Sequence, residues 1–173
     1  MGLAACAGPS TGEERARIHG NIDYPPWVMA GSGAYKVEGA PVFVGVGAIN
    51  GIETADLARQ TAENRARYEI EALLRLIIGG MMGEYLASSD DAEKERNAEE
   101  VYARIQRLLP EVIDVRDAWL HPDGSVYVQA HLSLERFKGI ATRAELDADV
   151  AGYLTDNINQ AHSQHIRAPA GSP

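Results

Sequence analysis

The chain has 173 residues, 45% of them hydrophobic, and a net charge of -9 from 25 acidic and 16 basic side chains. That length and apolar share suit one compact domain with a sizeable core, and no run reaches the roughly 18–20 uninterrupted apolar residues of a membrane-spanning helix. An acidic chain without a Lys/Arg stripe repels phosphate backbones, which excludes nucleic acid as a partner, and its single cysteine excludes an intrachain disulfide.

That cysteine has an informative neighbourhood. Leu3-Ala4-Ala5-Cys6 has the form of a lipobox, with an aliphatic residue three positions before the thiol and small residues between. The thiol can form a thioether to diacylglycerol, and small residues let the extended backbone enter a signal peptidase cleft. Ala7 to Arg15 is polar and contains Gly and Pro, as a flexible tether would. A secretory signal needs a basic region and about 7–15 apolar residues before the cleavage site. Only Met1 and Gly2 precede the box, so this reading expects a start further upstream or a chain cut near its mature end. The competing reading is a cytosolic N-terminus with an idle thiol in a chance small-residue run.

Beyond the tether, Pro25-Pro26-Trp27 predicts an extended lead-in whose indole covers one edge of the core. Gly31-Ser32-Gly33 breaks regularity. Pro41 to Ala48, with Gly45 and Gly47, predicts a strand buried on both faces or crossing closely over a helix at its glycines. Asn50-Gly51-Ile52-Glu53 has the form of a capping box and predicts a long helix from Glu53 to Ala87. Its small face is Ala55, Ala58, Ala62 and Ala66, continued by Ile70, Leu73, Leu74 and Ile77. Arg59, Glu63, Arg65, Arg67 and Glu71 read as a solvated face. Gly79, Gly80 and Gly83 are expected to bend or end the helix.

Asp90-Asp91-Ala92-Glu93 predicts the start of a second helix, with Ala98, Val101, Ile105 and Leu108 buried and Pro110 as its stop. Val112 to Trp119 and Ser125 to Leu134, joined by His121-Pro122-Asp123-Gly124, predict a hairpin. Its second arm alternates Val126, Val128, Ala130, Leu132 and Leu134 against Tyr127, Gln129, His131 and Ser133. Thr142-Arg143-Ala144-Glu145 predicts a third helix, running to His162. Together these elements give an α+β fold with a long alanine-striped helix packed on a curved antiparallel sheet and additional helices. Residues 1–21 are read as lipobox and tether, 22–166 as a single α+β domain and 167–173 as a disordered tail.

Gly45 to Gly51 sits between strand and helix like a dinucleotide-binding loop, but its third glycine comes one residue late and no acidic residue ends a second strand. Tight strand–helix packing explains the same glycines. His162 and His165 share a helical face without a third ligand and read as a surface pair. His121 and His131 have no sequence-visible nucleophile or carboxylate partner, Ser125 and Ser133 lack a nucleophile elbow, and Asp114 and Asp117 read as strand-edge charges. No catalytic, cofactor or metal residue is assigned, and Cys6 is the one candidate site, for lipidation.

In order, Pro26-Trp27-Val28, Val42-Phe43-Val44-Gly45-Val46-Gly47, the Ala58/Ala62/Ala66-Arg67 stripe and Trp119 with Asp123-Gly124-Ser125-Val126-Tyr127 resemble the LPP-twenty family of bacterial lipoproteins. The resemblance spans Pro25 to Glu135. It implies a long helix cradled by a curved sheet, similar to dodecin-like domains and to the amino-terminal domain of a flagellar T-ring protein, and carries over no catalytic residue. It implies an outer-membrane lipoprotein with its domain in the periplasm or at the surface, some members serving motility. The missing signal and the long helix expected from Asp90 to Leu109 depart from that pattern. The expected partners are the membrane, through the anchor at Cys6, and envelope proteins or further copies of the chain. The rival classes are a small-ligand-binding domain with an apolar pocket lined by Trp27 and Trp119, and an enzyme, which needs polar groups converging in a cleft.

Overall fold

The computed structural model describes residues 24–87 and 94–167, with residues 94–97 described in backbone only. Cys6, the tether, Ile22 and Asp23, the Asp90–Asp91 helix start and Ala168 to Pro173 lie outside the described residues.

A proline-led turn comes first. Pro25 is extended, as expected, but Pro26 occupies the first turn of a short helix, α1 (Pro26–Ala30), where its missing N–H costs nothing. The sequence reading missed the strand that follows, β1 (Gly33–Val37), which pairs antiparallel with β2 (Ala40–Ile49) in the register Val37↔Ala40 to Gly33↔Val44. Two residues join them, Glu38 at φ 51 and Gly39 at φ 81. Positive φ at both central positions gives a turn whose twist matches that of paired strands. β3 (Asp114–Leu120) and β4 (Val126–Ser133) form the expected hairpin, and β4 pairs with β2, giving an antiparallel sheet in the order β1-β2-β4-β3.

The long helix, α2 (Ala55–Ala87), packs on this sheet. It starts two residues later than the capping-box reading placed it, because Asn50 does not cap it. The Asn50 amide instead donates to Ser125 Oγ at 2.7 Å, and the first helical bond runs from Ala58 N to Thr54 O. Gly79, Gly80 and Gly83 do not end the helix: all three lie within its continuous span. Buried residues follow the alanine stripe, Ala58, Ala62 and Ala66, into Ile70, Leu74, Ile77, Ile78, Met81 and Met82.

The fit of α2 on the sheet is made by backbone. A Cβ placed on Gly45 would overlap the Ala66 carbonyl and stand 2.9 Å from Ile70 Cγ1, and one on Gly47 would overlap the Ala62 carbonyl and the Ala66 amide. The glycines therefore serve close approach, as the packing reading held, and not phosphate binding. They are ladder residues, paired with Ala130 and Val128.

Four further helices complete the core. α3 (Lys94–Gln106) buries Val101 and Ile105 while Ala98 and Leu108 are half-buried; it ends before Pro110, which opens a separate short turn, α4 (Leu109–Val112). Ser133 caps α5 (Leu134–Arg143), its Oγ accepting from Arg136 N at 3.3 Å, a helix missing from the sequence reading. The expected helix start at Thr142 is corrected accordingly. Thr142 lies in the last turn of α5 and donates its hydroxyl back to Lys138 O at 2.9 Å, and α6 (Ala148–Gln164) begins six residues later. At the end of the described residues, the Arg167 amide donates to Ala34 O at 2.8 Å beside a parallel bridge between Ala34 and Ile166.

Two sets of glycine substitutions separate close approach from helix propensity. Gly45→Ala and Gly47→Ala must displace helix backbone, and each is expected to lower unfolding free energy by about 3 kcal/mol or more, the upper end of overpacking costs. Gly79→Ala and Gly80→Ala meet nothing within 4 Å, and each is expected to raise it by about 0.5–1 kcal/mol through helix propensity. Urea unfolding of the four single variants reads both signs.

Candidate functional site

With α2 on one side of the sheet, β2 and β4 turn Val42, Val44, Val46, Tyr127, Gln129 and His131 to the other, called here the distal face. Its apolar part is a small cluster of Tyr35, Val42 and Val44 with Ala30 and Val46 packed against it. A five-residue helix has no stability of its own, so α1 is held over this face by tertiary bonds. Trp27 Nε1 donates to Asp117 Oδ2 at 3.0 Å, and Tyr35 Oη donates to Ala30 O at 2.7 Å. Trp27 thus covers the sheet, as expected, and Asp117 is a strand-edge charge with a partner. Beside α1 runs a shallow groove of ≈ 180 Å³ lined by Pro26, Trp27, Ala30, Tyr35, Val37 and Val44 among others. That is below the roughly 300 Å³ at which pockets for drug-sized ligands begin.

Trp119 does not share that groove. It sits at the other end of the distal face in a ring cluster with Tyr24, Tyr127 and His121, its centroid 5.2 Å from Tyr24, 5.5 Å from Tyr127 and 5.2 Å from His121. Tyr24 stacks on His121 at 5.1 Å and an interplanar angle of 18°. The aromatic pair expected to line one pocket therefore belongs to two separate places.

His121 also has the carboxylate partner that the sequence did not reveal. It is only 4% exposed, and its Nδ1 lies 2.7 Å from Asp123 Oδ1 and 3.2 Å from the Asp123 amide. One nitrogen cannot serve both, since the first contact requires Nδ1–H and the second a lone pair; the shorter, charge-assisted one fixes Nδ1 as donor. Asp123 Oδ1 also accepts from the Ser125 amide at 2.8 Å. Those bonds, first the Ser125 amide, then the Ser125 hydroxyl and His121, pull the Asp123 carboxyl down to about 2. Histidine, aspartate and serine thus meet within five residues, but with the carboxylate in the middle. A nucleophilic serine needs the imidazole on its hydroxyl, whereas Ser125 Oγ is engaged by Asp123 and Asn50. The arrangement rigidifies the β3–β4 turn.

The other histidines divide between structure and an unsatisfied position. His162, read as half of a surface pair, is 1% exposed: its Nε2 lies 3.0 Å from Val42 O and its ring meets Phe43 edge-on at 5.2 Å. It ties α6 to β2. His165 bonds back to Ala161 O through Nδ1 at 2.8 Å, so the two do not converge, and among the described residues no group of three or more His, Cys, Asp or Glu side chains could hold a metal ion. His131 stands between Val44 and Asp114 in the cross-strand register, and its Nε2 is buried with no hydrogen-bond partner among the described residues. Burial, and secondarily the Arg116 charge, pushes its pKa down, against a smaller opposing effect of Asp114. Asp114 itself is bound by Arg136 at 2.7 Å.

What the sequence reading left unnoticed is the outward face of α2. The charges assigned to solvent stand mainly on its flanks and are spent there: Arg65 Nη1 donates to Ala48 O at 2.6 Å, Arg67 Nη1 to Ile113 O at 2.8 Å, and Glu71 accepts from Gln106 at 3.0 Å. Leu57, Tyr68 and Leu76 are 51%, 67% and 64% exposed, and Ala72, Gly79 and Gly83 are exposed with them. Positions 57, 68 and 79, and likewise 61, 72 and 83, are spaced by eleven residues, close to three turns of an α-helix. A near-straight row of apolar and small residues therefore runs along the side of α2 away from the sheet, with exposed Arg75, paired to Glu99 at 3.7 Å, beside Tyr68 and Gly79. No protein-family model matches the chain, and no curated protein matches it significantly.

Two pH dependences follow from these positions. His131 has its pKa lowered from 6.5 in the fold, so the unfolded chain binds its proton first. Stability is full above pH 6.5 and falls as the pH drops through that value until the folded His131 itself protonates. Asp123, lowered from 3.8 to about 2, contributes stability that is present above pH 3.8 and lost as the pH falls toward 2. Urea midpoints measured from pH 8 to 2 are expected to lose the first slope in His131→Gln and the second in Asp123→Asn.

Proposed function

We propose that the chain is a non-catalytic domain of the bacterial envelope, anchored in the membrane by acyl groups on Cys6, which works by binding other envelope proteins or further copies of itself through the outward face of α2. The observation that carries the binding part is the stripe of Leu57, Tyr68 and Leu76 with Ala72, Gly79 and Gly83. A long helix whose exposed side alternates large apolar and very small residues suits a second helix lying along it. Three exposed glycines within five helical residues cost about 1 kcal/mol each relative to alanine, and among the described residues nothing lies within 4 Å of where a side chain on them would start.

The other surfaces are poorer candidates. The edge of β1 is taken at Ala34 by Ile166 and Arg167. The edge of β3 has a register shift between Val115 and Asp117, and Asp117 Oδ1 accepts from the Ala118 amide at 2.8 Å. Bulges and charges of this kind blunt an edge against strand addition.

The anchoring part rests on Leu3-Ala4-Ala5-Cys6 and the polar residues behind it, and on the motif order that resembles the LPP-twenty lipoproteins. No helix among the described residues is long and apolar enough to cross a membrane, which is compatible with attachment through a lipid.

Expressed from its native gene, the protein is expected in the membrane fraction with an acylated Cys6 by mass spectrometry, and Cys6→Ser is expected to leave that fraction. Finding both forms equally in the soluble fraction with a free thiol overturns the anchor. Leu76→Glu, at an exposed position where folding stability changes by about 0.5 kcal/mol or less, is expected to abolish the complexes that sedimentation and in-cell cross-linking detect for the unsubstituted chain. Complexes unchanged by Leu76→Glu and by Tyr68→Glu overturn the use of α2.

A further inference from the structure

α3 and α6 both pack on α2, and a cavity of ≈ 340 Å³ lies where the three helices come together. Its apolar wall is made by Met82 and Leu86 of α2, Val101 of α3, and Leu146 and Val150 at the start of α6. Met82 and Val101 are buried, whereas Leu86, Leu146 and Val150 are half-buried residues packed on the margin of the core. The volume passes the roughly 300 Å³ at which pockets for drug-sized ligands begin, and a space between packed helices is a common place for one. Apolar side chains that face a hollow lack the contacts of close packing, so an apolar group entering here supplies them.

The rim is charged, and one sign prevails. Arg104 Nη2 donates to Glu100 Oε1 at 2.6 Å and its Nη1 donates to Glu145 O, which ties α3 to the turn before α6. Asp147 and Asp149 stand on the same rim, and their carboxylates have no hydrogen bond or ion pair among the described residues. Asp147 is the N-cap of α6, in the extended backbone (φ -57, ψ 139) from which an aspartate ordinarily accepts an amide of the first turn, yet its side chain takes no such bond. It acts on Arg104 through its charge, more weakly than Glu100 does. Glu100, Asp147 and Asp149 against the single guanidinium leave the mouth of an apolar cavity negative, on a chain whose net charge of -9 already favours cations.

We propose that this cavity is a binding site for an organic cation, with the apolar body of the ligand among Val101, Leu146 and Val150 and its ammonium group at the rim, answering Asp147 and Asp149. An ammonium has three donors and no acceptor, so it can serve more than one carboxylate. A neutral analogue of the same shape forgoes the charge-assisted bonds, and an anionic one is repelled. The site uses neither the lipid anchor nor the exposed Leu57, Tyr68 and Leu76, so it stands whether or not the chain works through those features.

The test is a methyl NMR titration of the full chain with tryptamine, its neutral analogue tryptophol and its anionic analogue indoleacetate. Tryptamine is expected to shift the methyl resonances of Val101, Leu146 and Val150 saturably, with a Kd of about 1 mM or tighter, and to bind at least about tenfold more tightly than the other two. The double variant Asp147→Asn/Asp149→Asn, altered only at exposed positions, is expected to bring tryptamine level with tryptophol. Leu146→Trp, which fills the cavity, is expected to abolish the shifts at Val101 and Val150. Shifts centred on Val37 and Val44 of the groove beside α1, no saturable shift at the three cavity residues, or equal binding of tryptamine and indoleacetate overturns the proposal. So does a double variant that keeps the preference for the amine.

Discussion

The contact of Gly45 and Gly47 with the backbone of α2 sets the geometry of the rest of the domain. Two strand positions without side chains meet the helix at Ala62 and Ala66, so strand and helix approach as closely as their main chains allow. Nothing between them can relax, because the colliding atoms would be carbonyls and amides and not the ends of flexible side chains. From that point the buried residues of α2 grow, from alanines to Ile70, Leu74, Ile77 and the Met81–Met82 pair. There α3, α5 and α6 add Ile105, Phe137, Leu154 and Ile158 to the same core. Packing at interior density leaves little freedom in that arrangement.

Such close approach also decides how the charges are used. With α2 pressed onto β2 and β4, Arg65 and Arg67 lie near enough to the sheet to donate to Ala48 O at the end of β2 and Ile113 O just before β3. They clamp the helix from either side and satisfy carbonyls near the ends of the two strands. Guanidinium stems lying along apolar surface are well suited to that duty. The consequence is a helix whose outward side carries Leu57, Tyr68 and Leu76 among its exposed polar residues.

Much of this was legible in the sequence because it is periodic. The alanine spacing of α2, the alternation along β4 and the Asp-Gly turn are each dictated by one local rule, and the α+β fold with a long helix on an antiparallel sheet followed from them. The failures have local causes too. β1 went unseen because its five residues include only one full alternation and its turn is Glu-Gly, where Asn-Gly or Asp-Gly would have signalled it; α5 was visible in Leu134, Phe137, Ile140 and Ala141 but was hidden by extending the strand one residue too far. Asn50 and Thr142 both had capping form and both spent their side chains elsewhere, on Ser125 Oγ and on Lys138 O. His121 with Asp123, and His162 with Val42 O, could not be foreseen. The first depends on a turn's conformation, and the second joins residues 120 positions apart.

The distal face shows what a thin layer of chain can and cannot do. α1 is too short to fold alone and too small to cover four strands, so the sheet closes this side piecemeal: Trp27 with its bond to Asp117, the Tyr24–Trp119–His121 ring stack at one end, and the Tyr35 hydroxyl on Ala30 O at the other. Trp27 and Tyr35 each give their polar atom a partner while the ring lies against this side of the sheet, a duty that suits amphipathic aromatics. His131 lies between these pieces and has none of their bonds among the described residues. A ring nitrogen buried without a partner carries a desolvation cost that only its neutral form keeps small, so this face holds together best where that imidazole stays unprotonated.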